Sequence, residues 1–179
     1  MEPVLFGFAF ISFLIASVLH IIYLAFRKEK IKAFAVGITI FGFALQTIAL
    51  VFRTVISRHA PFVNLYESLV FFSWTTILIY FFLEYRYKLN ILGAFVTPLA
   101  FLSIGYASVL PRDYKQIEPL VPALQSHWLE IHVIACFLSY GAFAVAFVLG
   151  IMYLIKNRYK AGKLPSRLKI SAMSVWGCF

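Results

Sequence analysis

The sequence predicts an all-α fold: a polytopic transmembrane bundle of about five helical spans, N-terminus outside and C-terminal tail cytoplasmic. Three observations predict it. Hydrophobic residues make up 63% of the 179 residues and charged residues only 13%, more apolar surface than a chain this small can hide from water. Five apolar runs approach the length of about 20 residues that a membrane span requires. The basic residues also fall unevenly between alternate connections. Disorder is excluded because disordered segments are polar and charge-rich. The net charge of +9 would raise nucleic acid in a soluble protein, but here membrane topology accounts for it.

The first span covers about 4–26 and ends at Arg27-Lys28-Glu29-Lys30. It lacks the basic n-region of a cleavable signal peptide, and its apolar run is too long for an h-region. The second covers about 34–52 and is closed by Arg53. The third, about 66–84, has the shortest apolar run, about 69–83, and reaches span length only by including Tyr66-Glu67-Ser68. The fourth, about 91–110, contains Pro98, where a kink is expected. The fifth, about 131–155, ends at Lys156-Asn157-Arg158. Residues 1–156 thus form the bundle, and 157–179 a basic tail.

Orientation follows from lysine and arginine placement. One set of alternate connections holds Arg27, Lys28, Lys30, Lys32, Arg86, Lys88, Lys156, Arg158, Lys160, Lys163, Arg167 and Lys169, twelve in all. The other holds four: Arg53, Arg58, Arg112 and Lys115. The richer side faces the cytoplasm. Two outward loops result, Arg53–Ser68 and Pro111–Glu130. Pro111, Pro119 and Pro122 argue against one continuous helix in the second, whose end from Pro122 can begin a helix leading into span five.

Histidine combines neutral metal ligation with proton transfer near neutral pH, so all four are weighed. His132 sits at the outer mouth of span five, after Gln125-Ser126-His127-Trp128. It is either an interfacial polar residue or an imidazole that ligates haem iron while the porphyrin rests on apolar surface. His127 lies five residues earlier, roughly 140° around a helix, so the two do not share one metal from one face; His127 reads as a rim or loop residue. His59 reads as an exposed loop histidine. His20, inside span one, is either a functional group facing the bundle interior or a neutral imidazole hydrogen-bonded to a neighbouring helix.

Glu84, close to Arg86 and Lys88, is explained by an interfacial charge cluster. Asn64, Glu67 and Ser68 stand at a helix entrance, where an acid suits the dipole and caps free N–H groups. Trp74, Trp128, Tyr80 and Tyr106 fit interface anchoring or packing. Cys136 and Cys178 form no CxxC pair, so neither a disulfide framework nor a zinc site is indicated; Cys136 reads as a small buried hydrophobe. Hydrolase, phosphate-loop, zinc-protease and CxxCH haem-attachment signatures are absent from the sequence.

Two stretches carry a resemblance. His59-Ala-Pro-Phe-Val-Asn-Leu-Tyr-Glu-Ser-Leu-Val-Phe-Phe-Ser-Trp74 resembles the H-x-P-x-x-N-L-Y-E-S-L-x-F-x-S-W segment of the CcsA/ResC family of cytochrome c biogenesis proteins. Leu120-Val-Pro-Ala-Leu-Gln-Ser-His-Trp-Leu-Glu-Ile-His-Val133, with Ser139-Tyr140 downstream, resembles that family's L-V-P-A-L-Q-S-x-W-L-x-x-H-V and S-Y or G-Y. The likeness covers roughly 53–156 and includes Tyr66 in the first motif.

The resemblance implies a protein that handles or exports haem b, held transiently and without covalent bonds. It would present the haem at the outer membrane face for attachment to apocytochrome c, beside a CcsB/ResB-like membrane partner. It implies a plasma (inner) membrane location ahead of a thylakoid one. His132 matches the family's first external haem ligand by its place in Trp-Leu-x-x-His-Val. Trp128 joins it as a cofactor-side residue, with His59 and His127 as weaker candidates. A cytochrome c synthase activity would need the family's tryptophan-rich segment and second external histidine, and Trp176-Gly177 does not match that segment. The alternative is a non-catalytic, haem-free membrane scaffold, or truncated relative, that docks to a partner subunit. A third reading is an unrelated transporter or quinone-handling protein using His20 and the aromatic spans; the lack of a Gly/Pro-broken helix pair in matching halves counts against the transporter form.

Overall fold

The computed structural model describes residues 2–116 and 126–160, and those residues form helices joined by short turns. The order is α1 (Glu2–Phe26), α2 (Glu29–Ser57), α3 (Leu65–Tyr87), α4 (Gly93–Val109), a short 3₁₀ turn (Arg112–Lys115) and α5 (His127–Lys160). The polytopic bundle predicted from the sequence is the observed architecture. α1, α2, α3 and α5 are each long and apolar enough to cross a membrane. α4 has 17 residues, about 25 Å of helix against a hydrocarbon core of about 30 Å. It compensates by position, since Ala94, Val96, Thr97, Ala100, Ile104 and Ala107 are buried between its neighbours.

Helix ends extend past the predicted spans because charged residues enter the terminal turns. α2 takes in Lys30, Lys32 and Arg53, and α5 begins at His127 and continues to Lys160. The remainder of the predicted tail, 161–179, and the 117–125 segment with Pro119 and Pro122 lie outside the described residues. α4 runs through Pro98 as one helix, with Thr97 Oγ1 donating to Gly93 O at 2.7 Å.

Three turns start with a basic residue in the left-handed region: Arg27 (φ 52°), Arg58 (φ 59°) and Lys88 (φ 52°). Each closes a helix by donating its N–H to a carbonyl four residues back: Tyr23, Thr54 and Glu84.

α1 and α2 pack as an antiparallel hairpin, tightly enough that a Cβ on Gly42 would stand 3.0 Å from Ser12 Cβ. α3 and α4 form the second hairpin, and α1 meets α4, with Phe10 stacked on Phe101 at 4.8 Å between centroids. α5 packs chiefly on α3. Phe137 meets Phe71 edge-on, and Gly141 brings the α5 backbone against Thr75 and Ile79. The opposite face of α5 is exposed, with Trp128, Ile131, Phe143, Phe147 and Leu154 on it.

Candidate functional site at the α2–α3 and α4–α5 end

One end of the bundle carries the α2–α3 and α4–α5 connections; it is the end that the charge pattern predicts to be outside. Below it lies an apolar cluster of Phe6, Ala49, Leu50, Tyr66, Val70, Phe71 and Ala107. Above the cluster sits a polar network built on Arg53. Its Nε donates to Glu67 Oε1 at 2.7 Å, with the two side chains 4% and 0% exposed. Its Nη2 donates to the carbonyls of Lys115 (3.1 Å) and Gln116 (3.3 Å), and its guanidinium lies 5.1 Å from the Tyr66 ring centroid. Phe6 of α1 meets Tyr66 edge-on.

Asn64 caps α3: its Oδ1 accepts the Glu67 N–H at 2.9 Å, while its amide Nδ2 donates to Gln116 O at 3.1 Å. Glu67 Oε2 in turn accepts the Val63 N–H at 2.9 Å, and the Ser68 N–H reaches Asn64 O. The Asn64-Tyr66-Glu67-Ser68 motif therefore does more than begin a helix. It fastens the α2–α3 turn to the start of the α4–α5 connection. Arg53, read from the sequence as a loop charge closing span two, is a buried residue of α2 and the hub of this network. It escapes a sequence reading because its partner is fourteen positions away in another helix.

His59 is corrected in the same way. It is buried at 7% exposure, not an exposed loop histidine. Its Nδ1 lies 3.0 Å from Ala60 O; a carbonyl can only accept, so Nδ1 carries the proton and donates. Ser57 Oγ donates to His59 O at 2.9 Å. His59 thus stiffens the turn that follows α2.

His132 lies on the first turns of α5 and is exposed. Trp128, one turn before it on the same helical face, is 82% exposed. His127 is the first residue of that helix. One turn after His132 comes Cys136, whose Sγ lies 3.6 Å from His132 Nε2. Cys136 is only half-buried and its thiol is free, which corrects its reading as a buried hydrophobe. The four-residue spacing of His132 and Cys136 on one helix is the sequence signal for this contact.

The other end holds the polar groups the sequence left open. His20 is 1% exposed. Thr39 Oγ1 donates its proton to Ala35 O at 2.8 Å and so can only accept from His20 Nε2 at 3.3 Å. His20 is then the neutral Nε2–H tautomer bonded to a neighbouring helix, one of the two readings. Its Nδ1 has no hydrogen-bond partner among the described residues, and the ring fills space that a Cβ on Gly93 would occupy. Glu84 pairs with Lys32 of α2 at 2.9 Å, rather than with Arg86 or Lys88, and Lys32 also bonds Asn90. Tyr80 is buried and Trp74 half-buried, with Trp74 Nε1 donating to Thr47 Oγ1. Both pack, whereas Tyr106 and Trp128 are exposed.

The fold and its apolar faces define a multi-pass membrane protein with a rigid polar latch at one end and an exposed aromatic and imidazole-bearing helix beside it. Residues 62–177 match the family described as cytochrome C assembly protein, and the chain belongs to that family. It is 39% identical over 132 residues to a protein named cytochrome c biogenesis protein CcsA from Trieres chinensis, covering 73% of this chain and 40% of that one. The CcsA protein of Guillardia theta is 36% identical over 148 residues, 82% of this chain and 49% of that one. That of Adiantum capillus-veneris is 33% identical over 174 residues, 97% and 55% of the respective chains. The chain thus spans about half the length of the curated relatives it matches.

Proposed function

We propose that this chain handles haem b at the outer face of its membrane and presents it for attachment to apocytochrome c, with His132 as an axial ligand to the iron. Haem is the cargo here, bound without covalent attachment. The single observation that carries the reading is the exposed His132 imidazole on the first turns of α5, with the exposed Trp128 one turn away. A porphyrin is a flat apolar plate with anionic propionates. Trp128 offers it a ring to lie against at the membrane interface, and Nε2 offers the iron a lone pair. Arg53, Glu67 and Asn64 do not touch the cargo in this proposal. They fasten the α2–α3 turn to Lys115 and Gln116, where the α4–α5 connection begins.

The N-terminus is outside and Lys160 cytoplasmic in this reading, which rests on the twelve-to-four split of basic residues. A CcsB/ResB-like membrane protein is the proposed partner, and apocytochrome c the acceptor of the haem. The membrane in this reading is a plasma (inner) or a thylakoid membrane.

The test is the absorption of the full chain purified with and without a co-expressed partner. A haem Soret band is expected, and His132→Ala weakens it severalfold. His59→Ala leaves it closer to wild type, because His59 is already committed to the turn. A band unchanged by His132→Ala removes that residue from the site. Co-purification with a partner but no haem under any condition supports the haem-free scaffold instead.

A further inference from the structure

We infer that the α1–α2 corner, at the end of the bundle opposite Arg53, is a binding site for one anionic diacyl phospholipid. An open-sided groove of about 450 Å³ lies there along α2, lined by Lys30, Ala33, Phe34, Gly37 and Ile38. Those positions follow the three- and four-residue spacing of one helical face, so the groove runs from the charged end down the apolar part of α2. From Lys30 to Ile38 it spans about 12 Å of helix, against about 15 Å for half of a bilayer's hydrocarbon core. An acyl chain laid in it follows one protein surface across most of its leaflet. Gly37 makes the groove. A Cβ built there would meet nothing within 4 Å, whereas one on Gly42 would press on Ser12 and Phe13 of α1. The two glycines are about 140° apart around the helix, so Gly37 is turned away from the packing that Gly42 serves. Phe34, 64% exposed, forms one wall.

The head of the groove is basic. Arg27, Lys28, Lys30 and Lys32 stand close together with a single acid, Glu29, among them. Lys32 is committed to Glu84 of α3. Arg27, Lys28 and Lys30 against Glu29 then leave an excess of positive charge at the corner. Arg27 Nη2 is also buried without a hydrogen-bond partner among the described residues. A guanidinium N–H at a membrane boundary that finds no acceptor in the protein is costly until one arrives from outside the chain. A phosphodiester supplies oxygens suited to a guanidinium, and basic clusters beside a membrane span attract anionic lipid. A zwitterionic headgroup would bring an ammonium to the same place, where Arg27 and Lys30 repel it. The lipid site rests neither on the haem reading nor on the direction in which the chain is inserted.

The experiment is native mass spectrometry of the full chain released from detergent micelles, titrated with phosphatidylglycerol or with phosphatidylcholine of the same acyl chains. Phosphatidylglycerol is expected to bind at least about fivefold more tightly. Lys30→Gln and Arg27→Gln should each weaken it about fivefold, the effect of one cation on an anionic lipid, and leave phosphatidylcholine near wild type. Gly37→Leu fills the groove and should weaken both lipids severalfold; the open space around Gly37 accommodates the new side chain without disturbing the fold. Arg158→Gln removes an exposed cation of α5 and should leave phosphatidylglycerol binding unchanged. Equal affinity for the two lipids overturns the proposal, as does indifference to any one of Lys30→Gln, Arg27→Gln and Gly37→Leu. A loss in Arg158→Gln as large as in Lys30→Gln also overturns it, because it reports diffuse attraction with no site. The Soret band reads the haem proposal separately, so either proposal can fail alone.

Discussion

The buried Arg53–Glu67 pair provides the sharpest stability test. Both side chains are almost wholly removed from solvent and meet at 2.7 Å. Removing one member of such a pair leaves an uncompensated buried charge, at a cost of about 3–5 kcal/mol. In Glu67→Gln the amide oxygen can still accept the Val63 N–H, so the loss is mainly the charge facing Arg53, and the lower half of that range is expected. In Arg53→Met the carboxylate is stranded, and the carbonyls of Lys115 and Gln116 lose a donor as well, so the upper half applies. Arg53→Met combined with Glu67→Gln removes both charges and should cost clearly less than the two single losses added together, because each single variant already abolishes the same contact. Equilibrium unfolding of the full chain in mixed detergent–SDS micelles, followed by tryptophan fluorescence, measures all three. Single variants within about 1 kcal/mol of wild type, the range of a solvent-exposed pair, would refute the burial argument. So would strict additivity.

Three further outcomes are expected. Gly93→Ala places a methyl group 2.5 Å from His20 Cε1 and should destabilise by about 1–3 kcal/mol, as overpacking does; His20→Ala in the same chain should restore part of this in the same unfolding assay. Gly141→Val pushes α5 off Thr75 and Ile79, and disulfide cross-linking between Phe71→Cys and Phe137→Cys should fall with it. Topology is read by labelling single cysteines with an impermeant maleimide. In a background without the native cysteines, Asp113→Cys should react from outside in intact cells and Lys88→Cys only after lysis; the reverse pattern would move His132 to the cytoplasmic face.

The spans were legible because a bilayer imposes a length and a composition that no other environment demands. The N-terminal cap of α3 was legible too, since Asn64 and Glu67 stand at the spacing that capping uses. What stayed hidden was pairwise and distant. Arg53 looks like any cation at the edge of an apolar run until Glu67 is found beside it, and Lys32 finds Glu84 across fifty-two positions of chain. His59 looked exposed because loops usually are, yet its ring turns back onto the backbone. Cys136 had a readable clue in its place one turn after His132, but only three-dimensional spacing shows the two side chains in contact. α5 was legible as a span, although its exposed aromatic face shows only once its single main neighbour, α3, is in place.

The three basic residues that close helices in the left-handed region have a consequence for how the chain is made. A side chain in that region carries a backbone penalty of about 1–2 kcal/mol, which glycine would relieve. Glycine would also delete a cation. At Arg27 and Lys88 that cation stands just beyond a helix, where it meets the negative pole of the peptide dipoles and adds to the tally that orients a hairpin during insertion. Replacing both with glycine should yield a bundle that is no harder to fold once threaded but that is threaded less faithfully. At these two corners the backbone accepts a left-handed residue that is also a cation, a combination glycine cannot supply.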